Sequence, residues 1–154
     1  MDLRDLITPE AVIHSLKAKT KKQALQELAQ KAAALTGVDG RQIFDTLLQR
    51  ERLGSTGVGR GIAIPHGRLA ALKSIVSVFA RLDEPIDFEA LDEEPVDLIF
   101  LLLAPEHAGG DHLKALARIS RLLREPASIE KLRASQSRAA LYSVLTEAVP
   151  SHAA

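Results

Sequence analysis

Cysteine is absent from the 154 residues, and with it thiol chemistry, cysteine-based zinc sites and any disulfide framework. Aromatic residues make up 3%, with no tryptophan and a single tyrosine, Tyr142, so little surface is available for stacking on bases or sugar rings. Neither charge sign is in excess. The 20 Lys and Arg offset 20 Asp and Glu and are interspersed along the chain, so no broad basic face for nucleic acid is expected. The most apolar run, Leu98 to Ala104, falls far short of the ~20 residues that cross a bilayer, and the amino end MDLRDLITPE lacks the apolar stretch of a signal peptide. These absences lead to the expectation of a cytoplasmic protein, not membrane-embedded, with no nucleic-acid partner. The length suits one domain that buries its own core without staples.

What is present reads as helices interleaved with buried strands. Thr8-Pro9 suggests a turn before a brief extended piece at Val12-Ile13. Thr20 with Gln23 resembles a capping box, and Ala24, Leu25, Leu28, Ala32 and Leu35 recur at helical spacing until Gly37. Asp39 with Gln42 repeats the pattern for a second helix ending near Arg52 or Leu53. Strands are expected at Ile62 to Ile64, at Ser74 to Leu82 with Asp83-Glu84-Pro85 as terminator, and at Val96 to Leu103. Asp111 is a candidate cap for a helix from His112 to Arg124 with Leu113, Leu116, Ala117, Ser120 and Leu123 inside. Helices at Ala127 to Ala134 and Ser137 to Val149 follow, the last before Pro150, and the tail 151–154 is expected to fray. No repeat or linker interrupts this order. The fold expected is a single α/β domain over residues 1–150, with a mixed, mostly parallel sheet flanked by helices on both faces.

One stretch concentrates the chemistry. From Arg50 to Arg68 the chain reads RERLGSTGVGRGIAIPHGR, with Gly57, Gly59 and Gly61 leaving the backbone bare enough for a ligand to come close. The apolar Ile62-Ala63-Ile64 ends at Pro65, which cannot donate to a ladder, and His66 follows on a stiff turn before Gly67. The glycines match neither a Walker loop nor a dinucleotide fingerprint, so nucleotide binding is not expected. His66 and His112 both follow loops at strand ends, where α/β sheets gather ligands. His112 sits at a helix start, which favours anions, and Arg50 adds a guanidinium with bidentate geometry. Nucleophilic imidazole, guanidinium and helix start together suit a transient phosphoryl group on nitrogen. Competing readings exist: Arg50 at a helix end complements the dipole without further role, and His66, His107, His112 and Asp111 are candidate metal ligands, although no zinc spacing such as HExxH occurs. No metal and no cofactor are expected.

At GSTGVGRGIAIPHG the chain resembles the enzyme IIA proteins of the bacterial phosphotransferase system, in the fructose and mannitol superfamily, type 2. The likeness extends over essentially the whole chain, through the Arg-Glu pair before Gly-Ser-Thr and a second histidine followed by Leu-x-x-Leu-x-x-Ile, and is nearest the nitrogen-type branch. The resemblance implies a phosphotransferase component that accepts a phosphoryl group on His66 from a histidine-containing, HPr-like phosphocarrier charged through enzyme I. It also implies that Arg50 steadies the phosphoryl oxygens and that His112 lies against the active imidazole. Ser55, Thr56, Gly59, Arg60 and Gly61 would form a phosphate loop, Arg60 being a departure from the asparagine often found there. A rim of Leu53, Val58 and Leu69 is expected to admit the partner's histidine. Two roles follow from the likeness. One is a regulator acting on targets such as potassium transporters or sensor kinases according to phosphorylation state; the other is a sugar-uptake component passing phosphate to a IIB domain.

Overall fold

The computed structural model describes residues 2–147. Two 3-10 turns, Leu3–Asp5 and Pro9–Ala11, lead into β1 (Val12–Leu16). Helices α1 (Lys21–Thr36) and α2 (Gly40–Arg52) come next, then β2 (Gly57–Gly59), β3 (Ile62–Ala63), β4 (His66–Leu69), β5 (Val76–Ile86) and β6 (Val96–Pro105). Three helices close the described chain: α3 (Gly110–Leu122), α4 (Pro126–Ala134) and α5 (Arg138–Leu145). The first helix forms where its caps place it. Thr20 accepts from the Gln23 backbone N–H, Gln23 reaches back to the Lys19 N–H, and Gly37 adopts the left-handed conformation that ends the helix.

The six strands make one mixed sheet in the order β1, β5, β6, β3, β2, with β4 also paired to β6. β1 with β5, β3 with β6 and β4 with β6 run parallel, while β5 with β6 and β2 with β3 run antiparallel. The near-continuous apolar run of β6 has its cause in this topology, because each face is covered. Leu98, Phe100 and Leu102 face α3, α4 and α5, and Ile99, Leu101 and Leu103 face α1 and α2, alternating as a strand must. The α/β reading, with helices on both faces, holds.

Several local expectations are corrected. β5 runs on through Asp83-Glu84-Pro85 to Ile86, which pairs with Val96. β1 has already ended opposite Leu82, so the missing N–H of Pro85 breaks no ladder with it. After Pro65 the chain does not simply turn away: β4 resumes alongside β6 in the register that β3 began, Ile62 opposite Leu98 and His66 opposite Leu102. Helix α3 begins at Gly110 after Gly109, whose φ of 57° makes the entry, so Asp111 lies inside the first turn and supplies no side-chain cap. Its buried face is His112, Ala115, Ile119 and Leu122, while Leu113 and Ala117 point outward. Leu123 is buried and Leu116 packs partly against the same cluster, as expected, while His112, Ala115 and Ile119 take the rest of that face. Helix α5 ends at Leu145; Val149, Pro150 and the 151–154 tail lie outside the described residues.

Candidate functional site

His66 is mounted at the break between β3 and β4. Along this line Ile62 and Ile64 pack on the α3 side, whereas Ala63 and Leu69 join the α1 and α2 side. By the same alternation His66 and Arg68 face α3. Beyond β6, β4 has no second strand neighbour among the described residues, so this is an open edge where helices from both layers can deliver side chains. Gly67 is required for close approach: a Cβ there would come 2.9 Å from the Thr46 methyl on α2.

The histidine ring is oriented by its own backbone. Nδ1 of His66 lies 2.9 Å from the Ile64 carbonyl oxygen, which can only accept, so Nδ1 carries the proton and the lone pair of the neutral ring sits on Nε2. From α2, Arg50 Nε donates toward that Nε2 at 3.4 Å while its Nη1 donates to the Gly54 carbonyl at 2.9 Å. The guanidinium is thus tethered beside the nucleophile. The ring of His112 meets that of His66 edge to face, with centroids 5.9 Å apart and an angle of 69° between planes. His112 is only 5% exposed, and its Nε2 has no hydrogen-bond partner among the described residues. Arg68 Nε donates to its Nδ1 at 2.9 Å. Burial, then the charge of Arg68 and then that of His66, hold the His112 pKa below its ordinary 6.5, so the ring is neutral at physiological pH.

The tip of the expected phosphate loop lies away from this site. Gly59, Arg60 and Gly61 form the tip of the β2–β3 hairpin near the start of β6, about 13 Å along the strand from His66. Arg60 adopts φ 59°, its N–H bonded to Asp92 at 3.0 Å and its carbonyl to Arg133 at 2.6 Å. A Cβ on Gly61 would fall 2.4 Å from Arg133 Nη2, and one on Gly57 2.8 Å from the Ala90 Cβ. The space beside each of these glycines is thus taken by a neighbouring part of the chain, with Asp92 at Gly59. Ser55 donates its hydroxyl to the Phe88 carbonyl, and Thr56 donates its own to Glu51, so neither keeps a hydroxyl proton for a phosphoryl oxygen. Their expected phosphate contacts give way to a structural role.

Two side chains that support the site were given no role by the sequence. Buried Glu51 accepts from the Thr56 N–H at 3.0 Å and from its hydroxyl, and pairs with Lys21 at 2.9 Å, tying α1 and the loop to the end of α2 that carries Arg50. Arg68 is the second; its signal was the two-residue step from His66 on what proves to be a strand. The expected rim is also revised. Leu69 is 3% exposed and lies in the α1 and α2 core, so it borders no surface. Leu53 at the end of α2 and Leu113 next to His112 in the chain are 85% and 65% exposed, and Val58 is exposed on the hairpin. His107 lies exposed in the turn before α3. Among the described residues no three His, Cys, Asp or Glu side chains converge as a metal-ligand group.

Comparison with known proteins shows the family and the fold. Residues 5–148 match the family model described as phosphoenolpyruvate-dependent sugar phosphotransferase system, EIIA 2. A nitrogen regulatory protein of Bradyrhizobium diazoefficiens is 63% identical over 145 residues, covering 94% of this chain and 95% of its own. A fructose-specific EIIA component of Haloferax volcanii is 39% identical over 153 residues, covering 97% and 99% respectively. Among solved structures, the nitrogen regulatory protein IIA-Ntr of Neisseria meningitidis superposes with a TM-score of 0.89 at 33% identity, covering 94% of this chain and 99% of that one.

Proposed function

Because the chain belongs to the EIIA 2 family of the phosphoenolpyruvate-dependent phosphotransferase system, we propose that it is a phosphohistidine carrier of the nitrogen-regulatory type, loaded on His66 Nε2 by an HPr-like phosphocarrier. The observation that carries the reading is the fixed protonation of His66: Nδ1–H on the Ile64 carbonyl leaves Nε2 as the free nucleophile, with Arg50 beside it. In the transfer, the Nε2 lone pair forms the new N–P bond as the donor's N–P bond breaks and its electron pair returns to the donor imidazole. The Nδ1 proton stays on Nδ1. Arg50, rotating from its long contact with Nε2, meets charge on the equatorial phosphoryl oxygens, and the unpartnered Nε2–H of His112 supplies a second donor to the same group. No bound metal is required for this step. The phosphoryl group is presented at an open sheet edge, with Leu53 and Leu113 as exposed apolar side chains on the two helices that reach it, where a partner's histidine can approach in line and where the group can leave again.

The regulatory role is supported by the higher identity and nearly complete mutual coverage of the nitrogen regulatory relative. Phosphorylation then acts by adding two negative charges to the edge that target proteins meet. The fructose-specific relative sustains a second reading, in which phosphate passes on to a IIB domain. Intact-mass analysis after incubation with phosphoenolpyruvate, enzyme I and phosphocarrier tests the core of both. The chain should gain one acid-labile phosphate that His66→Ala abolishes and His112→Ala weakens. Retention of the phosphate by His66→Ala would remove the assignment, and efficient discharge to a IIB domain would favour sugar uptake over regulation.

A further inference from the structure

We propose that Arg68 is a positioning residue for phosphoryl transfer, locking the His112 ring in one orientation and one tautomer so that its only N–H, at Nε2, is held for the phosphoryl group on His66. This rests on the carrier reading of His66. An arginine Nε–H can only donate, so the 2.9 Å bond from Arg68 requires an unprotonated acceptor at His112 Nδ1. Neutral His112 must then carry its proton on Nε2. That atom is buried and has no partner among the described residues, an arrangement that costs stability unless another group completes the bond.

The imidazole ring could otherwise flip about its last torsion or move its proton between nitrogens, since the torsion is broad and roughly two-fold. Each alternative would turn an acceptor or a C–H toward the His66 edge, and neither would serve an incoming phosphoryl oxygen. A cation whose donor occupies Nδ1 excludes the alternate tautomer and opposes protonation at that nitrogen. Arg68 is in place to do this because β4 resumes after Pro65: the two-residue step of a strand puts its side chain on the face of His66, toward the first turn of α3. Arg68 thus acts through His112, whereas Arg50 contacts the His66 ring itself.

The test combines ring spectroscopy with transfer kinetics on the full chain. Long-range 1H–15N correlation at neutral pH should show His112 as a single Nε2–H form with a hydrogen-bonded acceptor at Nδ1. In Arg68→Met the Nδ1 signal should move and a second ring state should become populated; Arg68→Lys, whose ammonium also only donates, should largely restore the native pattern. Single-turnover acceptance of phosphate from the phosphorylated carrier should slow about tenfold in Arg68→Met, the low end of what loss of a histidine-orienting partner costs. The same substitution in a His112→Ala background should have no further effect. Unchanged ring signals in Arg68→Met would overturn the lock, as would an equal slowing in the His112→Ala background, which would make Arg68 a direct contact to phosphate or partner. If the native chain never gains phosphate, the carrier reading fails, while the ring signals still decide the lock on their own.

Discussion

Removing the Glu51 carboxylate tests whether the buried bond set at the end of α2 holds the loop that follows. Its two oxygens take up the Thr56 N–H, the Thr56 hydroxyl and the Lys21 ammonium, and its side chain is only 3% exposed against 15% for Lys21. In Glu51→Ala, two buried donors on Thr56 lose their acceptor, at about 1–3 kcal/mol each when unsatisfied. Lys21 loses its closer carboxylate and keeps only exposed Glu89 at 3.6 Å and the face of Phe88 at 4.8 Å. Because relaxation and partial solvation of Lys21 offset some of this, the whole change should cost about 3–5 kcal/mol, as expected for breaking a buried pair from one side. Glu51→Gln, which keeps one acceptor oxygen and the shape, should cost about 1–3 kcal/mol. Equilibrium urea unfolding monitored by far-UV circular dichroism measures both, and the milder variant remains interpretable if the alanine variant is too unstable to fold. A loss below about 1 kcal/mol for Glu51→Ala would refute the reasoning, since it would mean that water or another group satisfies Thr56 and Lys21 equally well.

Arg60 sits in the left-handed region at φ 59°, so Arg60→Asn should raise stability by about 0.5–1 kcal/mol in the same assay, and a loss would show that the arginine side chain holds a contact of its own. Gly61→Ala should cost about 1–3 kcal/mol, because φ is 81° and the new methyl would displace Arg133 from Asp97; an unchanged urea midpoint would contradict this. His112 resists protonation in the fold, so below about pH 6.5 the unfolded chain binds more protons there and stability should fall as pH drops. That contribution is fully present above pH 6.5, the ordinary value, and absent from His112→Gln, so the pH dependence of the two melting temperatures should diverge on acidification; parallel curves would contradict it. Leu53→Asp and Leu113→Asp should each slow phosphate acceptance about fivefold by placing charge at a docking edge, read from single-turnover mass shifts, and unchanged rates for both would move the docking surface elsewhere.

The legible parts of the sequence were those set by near neighbours. Thr20, Gln23 and Gly37 bound α1 through bonds reaching only a few residues, and the run from Val96 reads as a strand covered on both faces because it is short, apolar and bounded by Pro95 and Pro105. His66 was visible for the same reason: Pro65 before it and Gly67 after it leave few ways to mount the ring. The misread parts depend on partners far along the chain. Three alternating glycines look alike from within, yet Gly57 makes room for Ala90, Gly59 for Asp92 and Gly61 for Arg133, and no local pattern distinguishes those neighbours from a ligand. Glu51, between two arginines at a helix end, reads as one more solvated charge until Lys21 and Thr56 are seen to converge on it. His112 on the buried face of α3 broke the apolar periodicity, so Ala115 and Ile119 were missed while Leu116 and Leu123 were placed inside correctly. Local pattern thus reports burial and bending, whereas polar partnership is set by the sheet order. That order places the hairpin tip and the His66 edge at opposite ends of one strand line, so Arg60 lies away from His66. On the carrier proposal, the residues assigned to transfer are instead those the strand break brings to the open edge: His66, Arg68, and the two side chains that meet them from α2 and α3.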